Sequence, residues 1–201
     1  MTPPDISNGP GPTTMLPSTS LAKHILTTVT STLTESLANH SIRTYLFARL
    51  LAQHQGAVAD RDYDDQLLFA ACTLHDIGLS PSGDDGPYRF EVEGADLAAR
   101  LLTAQGLPAD QVDAVWDAIA LHTSPQLAER RSLLCQLTRD GVGIDFGRGA
   151  EITTKDQGAS VHALYPRLAL ESALVDAVVD QARRVPGKAP RYSSADVFIL
   201  E

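Results

Sequence analysis

Leu74-His75-Asp76-Ile77-Gly78 decides how this chain is read. The histidine and aspartate close an apolar run, Leu67-Leu68-Phe69-Ala70-Ala71-Cys72-Thr73-Leu74. An ionisable pair at the edge of a core is costly unless something compensates its charge. A divalent metal does so well, because an imidazole nitrogen and a carboxylate oxygen both suit Zn, Fe, Mn or Ni. Gly78 is expected to let the chain leave a helix in a left-handed conformation. The stretch reads as a helix that delivers two ligands at its C-terminal end and then stops. Periodicity alone does not separate a buried helix from a buried strand here; the length and alanine content of the run favour helix.

Outward from this stretch the pattern stays helical. Leu21, Ile25, Val29 and Leu33 recur every four residues and predict a helix over 21–38. Asn39 reads as the N-cap of the next helix, with His40 in its first turn and Ile42, Tyr45, Leu46 and Leu50 on its buried stripe. On the C-terminal side, the Pro, Gly and Asp of 80–88 predict a loop, and a helix follows over 91–105. Val112, Val115, Trp116 and Ile119 then keep i, i+3, i+4, i+7 spacing in a helix that ends near His122. A further helix is expected over 125–137, a Gly-rich bend over 140–147 and loop over 148–160. The last helix is expected over 166–184. Residues 1–20, rich in Pro, Gly, Ser and Thr, read as a disordered tail. The domain is expected over 21–185, with 186–201 as a C-terminal tail able to dock on it.

Composition narrows the function. The chain has 201 residues, enough for one well-buried domain. It is 43% hydrophobic and only 5% aromatic, which with its many Ala and Leu leans towards helix. A net charge of −9 argues against nucleic acid and anionic membranes as partners. No apolar run is long enough to span a bilayer and no signal-type start is present, so a cytoplasmic protein is expected. Cys72 and Cys135 do not make a disulfide framework. A small-molecule substrate is the expected partner, and a homo-oligomer stays open.

The polar outliers then fall into one set: His40, His75, Asp76, His122 and Asp145, each beside apolar sequence. The order His40, His75-Asp76, Asp145 resembles the signature of HD-domain metalloproteins, over most of the chain from Leu21 to Arg184. Segments His40-Ser41-Ile42-Arg43, Arg89-Phe90-Glu91-Val92-Glu93-Gly94, Ala120-Leu121-His122-Thr123 and Tyr165-Pro166-Arg167 make it most similar to the cyanamide hydratase branch.

That resemblance implies an all-α HD-domain helical bundle with one divalent metal ion, Zn or Fe, held by His40, His75, Asp76 and Asp145. Metal-bound water has a pKa of roughly 7, which makes hydroxide available to attack an electrophilic carbon at neutral pH. In the branch resembled, that carbon belongs to a small nitrile and the product is a urea. His122 is the first choice for the general acid, then Glu91 and Glu93. Glu91 and Glu93 also read as ordinary first-turn acids, Asp145 as a turn residue in competition with Asp140. His162 and the arginines 43, 89 and 148 read as surface groups. Leu79 stands where HD nucleotidases carry glutamate, and His122 is the one further histidine obvious around the third helix. The alternative reading is an HD-domain phosphohydrolase on a nucleotide or phosphorylated metabolite. A regulatory protein with a vestigial metal and an iron oxygenase are the remaining options.

Overall fold

The computed structural model describes residues 16–84 and 86–200. Most of the expected N-terminal tail therefore lies outside the described residues. Among those described, ten α-helices and short 3-10 turns carry the fold, and the only β-type pairing is an isolated bridge between Ala59 and Tyr63. The chain is all-α, as the sequence implies.

The central element is helix α3, Asp65–Leu74. Its N-cap Asp64 accepts hydrogen bonds from the amides of Gln66 and Leu67, both at 2.9 Å, a contact worth about 1 kcal/mol. Every residue from Leu67 to Leu74 is buried, so α3 is apolar all round and must be enclosed on every side. The enclosing helices are α1 (Ser20–Thr32), α2 (Glu35–His54), α5 (Ala109–Leu121) and α7 (Leu133–Asp145). Phe69 of α3 meets Tyr45 of α2 edge to face at 5.0 Å. Helix α4, Phe90–Ala104, packs against α5 and the turn that follows α3.

Gly78 does a different job from the one expected. It lies in the 3-10 turn Ile77–Leu79 and has no left-handed backbone. A Cβ there would stand 2.0 Å from the Phe90 carbonyl oxygen and 2.8 Å from the Gly94 nitrogen. The residue is a glycine because the turn after the His-Asp pair lies directly against the backbone of α4. Helix α9, Leu170–Arg184, pins the same turn: Gln181 Nε2 donates to the Gly78 carbonyl at 2.8 Å.

Four sequence expectations need correction. The first helix stops at Thr32, and Thr34 is the N-cap of α2, so His40 lies in the second turn of that helix. The expected Gly-rich bend at 140–147 is instead the C-terminal half of α7, which begins at Leu133 after a short helix α6, Ala128–Arg131. Its Gly141 faces α2, where a Cβ would meet the Thr44 carbonyl at 2.5 Å and Ala48 Cβ at 3.0 Å. Close helix contact thus outweighs the low helix propensity of glycine, about 1 kcal/mol. Within 148–160, a helix α8, Lys155–Leu164, starts from a Thr154–Gln157 capping box. The last long helix begins at Leu170, not at 166.

The C-terminal segment is docked. Its turn Pro186–Lys188 sends the buried Lys188 Nζ to the carbonyls of Gly83 (2.6 Å) and Tyr88 (3.1 Å). Helix α10, Ser194–Leu200, buries Ala195 among Phe90 and Val178.

Candidate metal centre

Two helix ends and one helix flank converge. His75 caps the C-terminus of α3, Asp76 follows it, and His122 caps the C-terminus of α5. His40 enters from α2. These four side chains are only 1–3% exposed. The imidazoles stack edge to face, His40 on His75 at 5.0 Å and His75 on His122 at 4.8 Å.

The hydrogen bonds fix which ring nitrogens are free. His75 Nδ1 donates to the Cys72 carbonyl at 2.8 Å and His122 Nδ1 to the Ile119 carbonyl at 2.6 Å. His40 Nδ1 donates to Asp145 Oδ2 at 2.6 Å. A carbonyl or carboxylate oxygen only accepts, so each Nδ1 carries the proton and each Nε2 of a neutral ring keeps its lone pair. Asp76 is where those lone pairs meet. Its Oδ2 lies 3.1 Å from His75 Nε2 and 3.8 Å from His40 Nε2, and its Oδ1 lies 4.0 Å from His122 Nε2.

That arrangement calls for a cation. His75 Nε2 and Asp76 Oδ2 are both buried, and neither makes a hydrogen bond among the described residues. Two buried acceptors facing each other repel unless a proton or a metal lies between them. Ligands about 2.1 Å from one ion lie roughly 3 to 4 Å from each other, and the distances around Asp76 fit. One donor atom each from His40, His75 and Asp76 lies within 4.8 Å of the other two.

The electrostatics agree. Burial disfavours the Asp76 carboxylate, yet the surrounding histidines hold its pKa well below the usual carboxylate range. Burial likewise works against a charged His75, but Asp76 raises its pKa overall. For His40, burial prevails over the Asp145 contact and the pKa falls. Burial and the neighbouring His75 push His122 down to about 4.

Asp145 stands behind His40 and does not join the His40, His75, Asp76 trio. Both of its oxygens are engaged, Oδ1 by Arg43 Nε at 2.8 Å and Oδ2 by Arg43 Nη2 at 2.7 Å and His40 Nδ1. Burial opposes its ionisation, but His40 and Arg43 more than offset this and lower its pKa. Arg43 also donates to the Tyr165 and Pro166 carbonyls, at 2.9 and 3.1 Å, and Arg167 donates to the Asp145 carbonyl. The Tyr165-Pro166-Arg167 stretch is thus the outer wall of this ion pair. Asp140, the competing carboxylate, is not part of the trio either.

Arg43 is the residue that sequence reading misplaced. It is fully buried, not a solvated surface charge. The available signal was spacing: Arg43 is three residues after His40 on one helix, so the two share a face.

The two acids of α4 separate. Glu91 is 1% exposed and accepts from Arg89 (Nη2 2.8 Å, Nε 3.0 Å), Thr123 Oγ1 (2.6 Å) and Ser194 Oγ (2.9 Å). Burial opposes its charge, but His122 and these donors lower its pKa. Four donated hydrogen bonds describe a carboxylate rather than the protonated form that a proton donor needs. Glu93 caps the Tyr88 amide at 2.9 Å and abuts Gly86. It braces the loop before α4.

The HD domain family model matches residues 37–162, which span every centre residue named above. Two Saccharomyces cerevisiae proteins, cyanamide hydratase DDI2 and cyanamide hydratase DDI3, are each 26% identical over 190 residues. The aligned region covers 90% of this chain and 82% of each relative. With the His40, His75, Asp76 cluster, these matches support a metal-dependent hydrolase or hydratase.

Proposed function

Because this chain belongs to the HD domain family, we propose that it is a cytoplasmic hydratase of a small, neutral C–N compound, with cyanamide as the substrate to test first. His40, His75 and Asp76 would hold one Zn or Fe ion through Nε2, Nε2 and a carboxylate oxygen. Three protein ligands with positions left open are the pattern of catalytic rather than structural sites. When bound, the ion supplies a Lewis acid and a water that deprotonates near neutral pH. Asp145 takes an orienting role: it fixes the His40 tautomer and increases the basicity of its Nε2.

The chain's own groups handle the protons. Water adds across C≡N as its oxygen bonds to carbon and its proton goes to a base. His122 Nε2 is that base, neutral and buried beside Asp76. It then returns the proton to the substrate nitrogen, and tautomerisation gives a urea. Glu91 facing His122 raises the proton affinity of the imidazole and so stabilises the protonated form between the two transfers. Arg89, Thr123 and Ser194 hold Glu91 ionised for that purpose.

The observation that carries this reading is the buried, unbonded contact between His75 Nε2 and Asp76 Oδ2. The phosphohydrolase alternative needs a free cationic clamp facing the His40, His75, Asp76 trio itself. Arg43 is committed to Asp145 and Arg89 to Glu91, and a centre only 1–3% exposed favours a compact substrate. The test is urea production from cyanamide by metal-loaded protein, run beside phosphate release from a nucleotide panel. Urea without phosphate supports the proposal; phosphate without urea reverses it.

A further inference from the structure

A cavity of about 310 Å³ lies against the outer side of Asp145. Its lining includes Phe47, Ile144, Lys155, His162 and Arg167, and of the centre it touches only Asp145. The volume is at the lower end of the range of small-molecule sites. Sequence reading leaves His162 at the surface, but it is half-buried and its ring leans on Phe47 at 5.8 Å. Its Nδ1 is buried and has no hydrogen-bond partner among the described residues. An unsatisfied buried nitrogen in a cavity wall points to a missing polar partner.

The other polar groups say what partner. Lys155 is exposed and has no ion pair among the described residues. Arg167 donates to the Asp145 carbonyl and pairs with the exposed Glu171 at 3.2 Å, a surface contact worth little and readily exchanged. The Asp145 carboxylate does not repel an anion strongly, because Arg43 already neutralises it. Phe47 and Ile144 supply an apolar floor.

We propose that this cavity binds a small oxyanion, carboxylate or phosphate, through Lys155 and Arg167, beside the unsatisfied His162 ring. Arg167 links its occupant to the Asp145 backbone, so the site abuts the metal centre without sharing a residue of the His40, His75, Asp76 trio. The assignment does not depend on the hydratase reading.

The test uses the metal-loaded full chain and follows the His162 Hε1 resonance by NMR, assigned from its absence in His162→Phe, during titration with inorganic phosphate and separately with butyrate. Saturable shifts with at least one anion are expected. A preference for butyrate would indicate a carboxylate ligand with an apolar body, and a preference for phosphate a phosphorylated one. Lys155→Gln should weaken binding about threefold, the effect of one exposed ion contact. Gly158 also lines the cavity, and a Cβ there meets nothing within 4 Å. Gly158→Asp therefore adds a negative charge without a clash and should abolish the shifts, while Gly158→Ala should retain them. Absence of saturable shifts with both anions, or shifts unaltered by Gly158→Asp and Lys155→Gln, would overturn the assignment.

Discussion

His40 Nδ1 donates to Asp145 Oδ2 at 2.6 Å, across a buried contact between α2 and α7. The bond turns His40 Nε2, with its lone pair, towards Asp76. On the proposed assignment it makes Asp145 an orienting residue and His40 a ligand. Asp145→Asn keeps the shape and an acceptor but loses the charge. Metal affinity should fall about 10- to 100-fold, the usual cost of losing an orienting carboxylate, with binding still measurable by competitive chelator titration. Complete metal loss would make Asp145 a ligand.

His122 is expected to act on protons. His122→Ala should keep its metal and lose about 10² to 10⁴ in turnover of cyanamide. Metal content and kcat measured on one preparation decide the matter. If metal and activity disappear together, His122 is a fourth ligand.

The pH profile follows from the depressed pKa of His122, about 4 rather than the ordinary 6.5. A base must be deprotonated to work, so lowering its pKa extends activity to lower pH. The limb of kcat/KM that belongs to His122 should therefore lie at pH about 4, below the limb at about 7 set by the metal-bound water. Loss of an inflection near 6.5 in His122→Ala would contradict the depressed pKa.

Two glycines should respond in opposite ways. Gly78→Ala drives a Cβ into the Phe90 carbonyl and should cost about 1–3 kcal/mol of stability, as overpacking does. Gly158→Ala, inside α8 with open space around it, should gain about 0.5–1 kcal/mol. Urea denaturation of both variants checks the pair, and equal effects would refute the close-approach explanation of Gly78.

Much of the centre was legible because its residues sit where helices stop. His75 and His122 are each preceded by an apolar helical run and end it, so periodicity located them. Asp145 reads as part of a bend because Gly141, Gly143 and Gly147 read as turn residues. Only the approach of the Thr44 carbonyl shows that Gly141 is small to admit α2, a tertiary fact that local propensity does not carry. Glu91 was recognised as a candidate, but its charge state depends on Arg89, Thr123 and Ser194. One of those donors arrives from the C-terminal helix, and sequence offers no register for such a contact. Helix α8 does not stand out in the sequence because its Gly and polar residues mask the capping signal at Thr154 and Gln157.

The central claim is that His40, His75 and Asp76 hold a single cation, and metal analysis of purified protein tests it most directly. The wild type, reconstituted with Zn or Fe(II) and desalted, should retain about one equivalent per chain, and Asp76→Ala should retain none while staying folded by circular dichroism. Wild type that leaves the column metal-free, or Asp76→Ala that keeps its full equivalent, would contradict the account.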